Sequence, residues 1–216
     1  SLNGLQIYDR ATASFTTIPM YLSSGASIDP NIATILERNN GEILIGTSGH
    51  SMFLLETRGD SIKARQISRF ISSNLITYAY EDRKGNLWIA TGDNGIFRFD
   101  KNNQSKHYSG EKDIAKNTVS SMCEDKQGNL YMSSLKKGLF IYDDKKDVFI
   151  PFTDTPNPDL PIKILYPGDQ NEIFIGTDGS GMKVYDTQEQ KIKEANFNIT
   201  TFNLKKAKVH SILKDK

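Results

Sequence analysis

The chain has 216 residues, of which 37% are hydrophobic and 25% are charged. Its 27 Lys and Arg residues face 26 Asp and Glu residues, which gives a formal net charge of +1 at pH 7. This composition is typical of a folded domain with a sizeable core and excludes a disordered charged tail. Because no block of like charge is long enough to bind a phosphate backbone, we expect no direct contact with nucleic acid.

The chain has a single cysteine, Cys123, which excludes an internal disulfide and a cysteine-based zinc site. Cys123 lies in an apolar segment, so we expect it to pack as a small buried hydrophobe. No run approaches the roughly 20 apolar residues of a membrane span, and the N-terminus lacks the features of a signal peptide. Contact with a membrane is therefore expected only through sequence downstream of this chain.

The unit around which the chain is built is EDRKGNLWIATGDNGIFRFD, at residues 81–100. Gly85 and Asn86 predict a tight hairpin turn, because both tolerate the positive φ that such turns require. The following segment, 87–90, is apolar at consecutive positions, so both faces of that strand should be covered. A second turn at 92–95 leads into another strand at 96–99. Two adjacent antiparallel strands are therefore predicted.

The unit returns at 124–143, where Gly128 lies 43 residues after Gly85, and again at 171–186 and, more loosely, at 41–56. A further strand is predicted ahead of each turn, at 32–36, 76–80, 119–123 and 162–166. Weaker fourth strands follow at 63–67, 106–108, 148–152 and 191–195. Four strands in a repeat of about 43 residues are typical of the blades of a β-propeller.

The predicted fold class is therefore all-β: a β-propeller segment of four-stranded antiparallel blades, truncated at both ends. Residues 4–9 match the third strand of the repeat, and residues 209–216 match its first strand, so we expect a slice of a larger ring or of tandem rings. The predicted divisions are a partial blade at 1–27, whole blades at 28–71, 72–114, 115–158 and 159–204, and the first strand of a further blade at 205–216.

Side chains that recur at the same position in each repeat are assigned to structure. The recurring large apolar residues are expected to pack between blades rather than to stack on sugars. They are Leu44, Trp88, Tyr131 and Phe174 in the second strand, and Tyr8, Phe99, Tyr142 and Tyr185 in the third. The recurring aspartates are expected to fix turns, with calcium binding as the alternative. They are Asp82, Asp125 and Asp215 before the hairpin turn, and Asp9, Asp100, Asp143 and Asp186 after the third strand.

The candidate ligand-binding surface lies where the repeats differ, because shared residues build the scaffold. The loops between the second and third strands, at 48–50, 92–94, 135–137 and 178–180, differ in charge and size. In a propeller they share a face with the connections between blades, at 70–74, 109–117 and 153–161. The predicted ligand-binding residues are His50, Asp93, Asn94, Lys136, Lys137, Asp178 and Ser180.

The sequence carries no recognisable catalytic motif. His50, His107 and His210 lie in different parts of the repeat and lack metal-ligand spacing, and there is no nucleophile elbow or cofactor fingerprint. The glycines at 176–181 run from strand to strand rather than into a helix, which argues against a phosphate site. We therefore predict no catalytic residue, no cofactor and no metal. Two alternatives stay open: a propeller lyase or hydrolase that uses His50 or a carboxylate, and a protein-interaction scaffold.

Residues 76–100 resemble the two-component-regulator propeller repeat, whose pattern is Gly-Asn, Leu-Trp-Ile-Gly-Thr and an aromatic-Asp close. Ala90 departs from the pattern, whereas Gly46-Thr47 and Gly176-Thr177 keep it. The resemblance implies the periplasmic sensor domain of an inner-membrane, hybrid two-component protein of glycan-degrading gut bacteria. It further implies recognition of an oligosaccharide, dimerisation of the ectodomain, and control of glycan-utilisation genes through attached histidine kinase and DNA-binding domains. The segment itself would not be an enzyme.

Overall fold

The computed structural model describes residues 4–67, 70–71, 73–109, 118–153, 159–195 and 204–213. These residues form twenty β-strands and one 3-10 helix, Leu204–Lys206. The chain divides into two compact units, Ser1–His107 and Tyr108–Lys216. The predicted four-stranded antiparallel sheets are present in both units, so the sequence pattern was interpreted correctly.

The first unit opens with a two-stranded hairpin and continues into two blades. The hairpin strands are β1 (Gln6–Asp9) and β2 (Ser14–Thr17). The first blade has β5 (Ile32–Glu37), β6 (Ile43–Thr47), β7 (Met52–Arg58) and β8 (Ser61–Ile67). Two short strands, β3 (Met20–Tyr21) and β4 (Ser27–Ile28), extend this sheet to six, and β3 pairs with β8 in parallel. The second blade has β9 (Ile76–Glu81), β10 (Leu87–Thr91), β11 (Ile96–Phe99) and β12 (Ser105–Tyr108).

The second unit contains two further blades with the same strand order. One has β13 (Val119–Glu124), β14 (Leu130–Ser134), β15 (Gly138–Asp143) and β16 (Val148–Pro151). The other has β17 (Ile162–Pro167), β18 (Glu172–Thr177), β19 (Met182–Asp186) and β20 (Lys191–Glu194). Each strand pairs with its sequence neighbour, as expected where short turns join successive strands.

The second strand of each blade is the most buried, because its side chains are covered on both faces. Every residue of β10 and of β14 is buried, and Trp88 has no exposed surface. The glycine of the repeat pattern has a packing reason: a Cβ on Gly46 would lie 2.6 Å from Cγ2 of Ile76 in the next blade. Neighbouring blades within a unit therefore approach too closely for a side chain at this position.

Equivalent positions of neighbouring blades meet within each unit, so the blades stack in the same orientation. In the first unit the Arg38 guanidinium bonds the Glu81 carboxylate, 43 residues on, at 2.8 Å. In the second unit the Leu165 N–H donates to Ser121 Oγ, 44 residues back, at 3.1 Å. The hairpin turns of successive blades consequently lie at one end of a unit, which we call the turn end. The loops between second and third strands lie at the other, the loop end.

The recurring aspartates fix turns, as the sequence predicted. Asp82 accepts hydrogen bonds from the Asn86 N–H at 2.8 Å, the Asn86 amide at 2.8 Å and the Trp88 indole N–H at 2.8 Å. Asp125 accepts the matching bonds from Asn129 and from the Tyr131 hydroxyl. The four aspartates after a third strand each accept a hydrogen bond from a backbone N–H of the following turn. They are Asp9, Asp100, Asp143 and Asp186. Asp215 lies outside the described residues.

Two further predictions about packing differ in outcome. Cys123 is buried, and that burial, with the charges of Asp125 and Glu124, raises the pKa of its thiol far above the usual value. It packs as predicted. Tyr8 instead lies half exposed on its two-stranded sheet, with its ring 4.9 Å from that of Phe15. The packing predicted for Tyr8 is therefore wrong, since β2 is the only strand that pairs with β1 among the described residues.

Residues 205–216 were predicted to begin a further blade. In the part that the structure describes, 204–213, the chain forms the short helix and then a single bridge between Lys208 and Asp178. The interpretation of this segment and of residues 1–27 as partial blades stays a prediction.

Candidate functional site

A buried hydroxyl at the end of each second strand fixes the backbone of the following loop. Thr91 Oγ1 donates to the Gly95 carbonyl at 2.8 Å and accepts the Asn94 N–H at 2.9 Å. The same pair of bonds joins Thr177 to Gly181 and Ser180, at 2.7 and 2.9 Å. Thr47 repeats it with Ser51 and His50, and Ser134 keeps part of it by accepting the Lys136 N–H. The loops therefore share a rigid base, although their side chains differ.

In the first unit, the connection between the two blades joins the predicted loops. The Asn74 carbonyl accepts the N–H groups of Gly49 and Ser51, at 2.8 and 3.0 Å. One residue on, the Leu75 carbonyl accepts the Gly92 N–H at 2.9 Å. The loops that carry His50, Asp93 and Asn94 are thus brought onto one strip of surface.

Side chains on and beside this strip bond either to one another or to the backbone of the loops. Asp93 accepts a hydrogen bond of 2.6 Å from the Ser73 hydroxyl, and the Asn94 carbonyl accepts one of 2.6 Å from His107 Nε2. The His107 ring is stacked on Phe97 at 4.1 Å. The carbonyl of His50 accepts a bond from the Gln66 amide at 2.9 Å. This part of the surface offers polar groups with little net charge.

In the second unit, the loops carry charged side chains that reach solvent. Lys136 is exposed, and Lys137 pairs with Asp159 at 3.3 Å although both side chains are more than half exposed. Asp178 lies between two lysines, Lys163 at 3.6 Å and Lys208 at 3.2 Å. A hydrogen bond from Lys208 and the charge of Lys163 lower the pKa of Asp178, so the carboxyl is ionised at neutral pH.

The sequence placed the seven candidate residues correctly on the loops, but it missed two features. The hydroxyls that hold the loop bases, at positions 47, 91, 134 and 177, were not recognised, although they recur at intervals of 43 or 44 residues. The segment 207–210, which lies against the last loop, was also missed because its contacts come from distant sequence. Whether the seven residues bind a ligand stays a prediction.

A wide cavity lies at the turn end of the first unit. It is an open groove of about 550 Å³ lined by Arg38, Glu42, Phe70, Glu81, Arg83 and Asp100, among others. Arg38 pairs with Glu81 and Glu42 at 2.8 and 3.1 Å, so much of its polar lining is already bonded. The described residues contain no cluster of ligating side chains suited to a metal ion. None of the described helices is long and apolar enough to cross a bilayer.

Residues 71–93 and 113–136 match the family model described as the two component regulator propeller. These two segments are similar to two-component regulator propeller repeats. The matched residues include the hairpin turn, the buried second strand and the start of the variable loop. A search of curated proteins gave no match.

Solved structures with the same fold include extracellular domains of putative hybrid two component systems and a lyase. The chain is 19% identical, with a TM-score of 0.76, to the extracellular domain of the putative hybrid two component system BT3049 from B. thetaiotaomicron, covering 99% of this chain and 28% of that one. It is 16% identical, with a TM-score of 0.75, to the corresponding domain of BT4673 from the same organism, covering 100% of this chain and 29% of that one. Virginiamycin B lyase from Staphylococcus aureus is 12% identical with a TM-score of 0.66, covering 92% of this chain and 64% of the lyase.

These likenesses confirm the propeller fold. The chain spans less than a third of the length of these two extracellular domains.

Proposed function

We propose that this chain is a non-catalytic part of the ligand-sensing ectodomain of a two-component signalling protein. The ectodomain would lie in the periplasm, dimerise, and bind an oligosaccharide at the loop ends of its blades. The bound state would be passed to attached histidine kinase and DNA-binding domains that regulate glycan-utilisation genes. The repeats matched by the two-component regulator propeller model support the signalling role.

The observation that carries the proposal is the contrast between a constant loop base and variable loop tips. Thr47, Thr91 and Thr177 hold their loops by the same bonds, yet the tips carry His50, Asn94 and Ser180 at the equivalent place. A rigid support with a few placed polar groups is the arrangement that orients a hydroxyl-rich ligand. The exposed amide of Asn94, the partly exposed hydroxyl of Ser180 and the exposed ammonium groups of Lys136 and Lys137 supply both donors and acceptors.

Titration calorimetry of the intact ectodomain against a panel of plant and host oligosaccharides tests the proposal. We expect one class to bind, and expect Asn94→Ala or Lys136→Ala to weaken that binding. Lys145→Ala is the matched control, because Lys145 is also an exposed lysine of the Lys136 blade but lies in the turn after the third strand. If no oligosaccharide of the panel binds, the proposal is overturned.

The lyase alternative makes a different prediction. The lyase and this chain share a fold at 12% identity, which carries no information about activity. Incubation of bound saccharides with the ectodomain should return them unchanged. Turnover that is abolished by His50→Ala would replace the sensor proposal with an enzymatic one.

A further inference from the structure

Positive charge is concentrated at the loop end of the second unit. Among the described residues, its loops and the segment beside them carry Lys136, Lys137, Lys163, Lys205, Lys206 and Lys208. Asp159 pairs with Lys137, and Asp178 pairs with both Lys163 and Lys208. The predicted loop tips of the first unit carry a single charged group, Asp93, which is bonded to Ser73. The two units therefore present different electrostatic surfaces on the same kind of scaffold.

The centre of this charge is a cluster around Asp178. Its carboxylate lies 3.2 Å from the Lys208 ammonium and 3.6 Å from that of Lys163. The Lys163 ammonium also lies 3.5 Å from Nδ1 of His210. One carboxylate thus serves two ammonium groups, and the cluster keeps a net positive charge.

The lysine at the outer side of the cluster is held in place by its backbone. The Gly181 N–H donates to the Ala207 carbonyl at 3.0 Å, and the Val209 N–H donates to the Thr177 carbonyl at 2.9 Å. The Val209 side chain also packs against Gly176, where a Cβ would lie 2.7 Å from Val209 Cγ1. Residues 207–209 therefore form a fixed segment, which we call the basic segment. Because this backbone is already ordered, binding a ligand there costs little further conformational entropy.

We infer that the cluster formed by Lys163, Lys208 and His210 binds an acidic group of the ligand, a carboxylate or a sulfate. This inference rests on the proposed function and deepens it, since it assigns the oligosaccharide to the anionic class. Without ligand, the Asp178 carboxylate pairs with both ammonium groups. It therefore competes with the acidic group of the ligand for them. The half-buried position of Lys163, with 26% of its side chain exposed, strengthens its attraction to an anion relative to that of a fully solvated lysine.

Calorimetry with charge-matched pairs of probes tests this inference on the intact ectodomain. One pair is trigalacturonate and its neutral methyl ester, and the other is sulfated and unsulfated N-acetyllactosamine. We expect the charged member of at least one pair to bind more tightly, and its affinity to fall as salt is raised from about 50 to 500 mM. The pair that responds distinguishes a carboxylate from a sulfate. Inorganic sulfate serves as a probe without sugar.

Four variants locate the effect. Lys163→Gln and Lys208→Gln should each weaken binding of the charged probe about fivefold. Asp178→Asn removes the competitor and should tighten it about threefold. Lys193→Gln is the matched control, because Lys193 is also paired with carboxylates, Asp186 and Glu189, but lies by the turn after the third strand. If a lysine variant fails to fold, the affinity of the Asp178→Asn variant for the charged probe tests the inference instead.

The outcomes separate the two proposals. Equal binding of neutral and charged probes, unchanged in the lysine and Asp178 variants, would overturn the anionic assignment and leave the oligosaccharide sensor intact. If inorganic sulfate binds at the cluster and no saccharide binds, the cluster is an anion site but the proposal of an oligosaccharide ligand is overturned. Silence with every probe would overturn both.

Discussion

The turn end and the loop end of the blades use polar groups in opposite ways. At the turn end, Asp82 and Asp125 each bond an asparagine four residues on and an aromatic side chain six residues on. At the loop end, the hydroxyls of Thr91 and Thr177 hold the backbone but leave the tips free to differ. Polar groups that are buried and repeated maintain the fold, whereas exposed groups that change from blade to blade are available to a ligand.

The difference follows from burial. Asp82 and Asp125 are almost fully buried, and a buried carboxylate is tolerated only where several donors replace the lost water. The aromatic N–H or O–H needs the same partner for the same reason. A turn-end aspartate and its aromatic residue are thus required together, and neither can vary alone. No such constraint acts on a solvated loop tip.

The largest expected effect is the loss of a turn-end aspartate. Asp82→Ala leaves the Trp88 indole and the Asn86 groups without their acceptor and should lower the free energy of unfolding by about 3 kcal/mol. Chemical denaturation followed by the fluorescence of Trp88, the single tryptophan, measures it. Asp100→Ala, in a solvated turn of the same blade, should cost less than about 1 kcal/mol. Equal costs for the two variants would show that burial does not distinguish these aspartates.

An intermediate effect is expected at the loop base. Thr91→Val keeps the shape of the side chain but removes the bonds to Gly95 and Asn94, and should cost about 1–2 kcal/mol. Hydrogen exchange at the Asn94 amide should become faster. Thr91→Ser retains the hydroxyl and is the control, so protection of the amide should survive in it. Unchanged exchange in the valine variant would mean that the hydroxyl does not fix the loop.

The same contrast explains how much of the molecule could be predicted from its sequence. The blades follow from periodic signals, because Gly-Asn turns and two-sided apolar strands such as 87–90 recur at a fixed interval. The turn-fixing role of Asp82 was predicted from its position, but its bond to the Trp88 indole was not. That bond depends on side-chain direction, which the repeat alone does not specify.

The candidate site was harder to predict because its contacts are not local. Asp178 is recognisable as a loop residue, yet Lys208, its partner, comes from a segment interpreted only as the start of another strand. Tyr8 shows the same limit: its repeat position predicts burial, but burial depends on a neighbouring strand rather than on Tyr8 itself. Local pattern therefore predicts strands and turns, whereas the environment of a side chain depends on which segments meet.

Smaller effects on stability are expected at the loop tips. Asn94→Ala and Lys136→Ala should change the free energy of unfolding by less than about 0.5 kcal/mol, because neither side chain lies in the core. Thermal denaturation measures this change beside the binding assay. A loss of affinity without a loss of stability would mark these residues as ligand contacts. A large loss of stability in either variant would contradict the division between scaffold and tip.

The smallest expected effect is a difference in salt response between two aspartates with lowered pKa values. A backbone hydrogen bond from Ala11 and a side-chain bond from Thr12 lower the pKa of Asp9, whereas the lysines Lys208 and Lys163 lower that of Asp178. For both, a folded-state pKa below the unfolded value gives stability that is present above the unfolded pKa, about 3.9, and is lost as the pH falls through the folded one.

Salt screens the ammonium charges more than the hydrogen bonds of a turn, so added salt should raise the pKa of Asp178 and leave that of Asp9 nearly unchanged. Carboxyl chemical shifts followed by NMR from neutral pH into acid, at low and high salt, measure both groups in one sample. Equal movement of the two values would mean that Asp178 is held by its loop rather than by the lysines. The basic segment would then have only a structural role, and Lys208 would not form the ion pair with Asp178 that the anionic site requires.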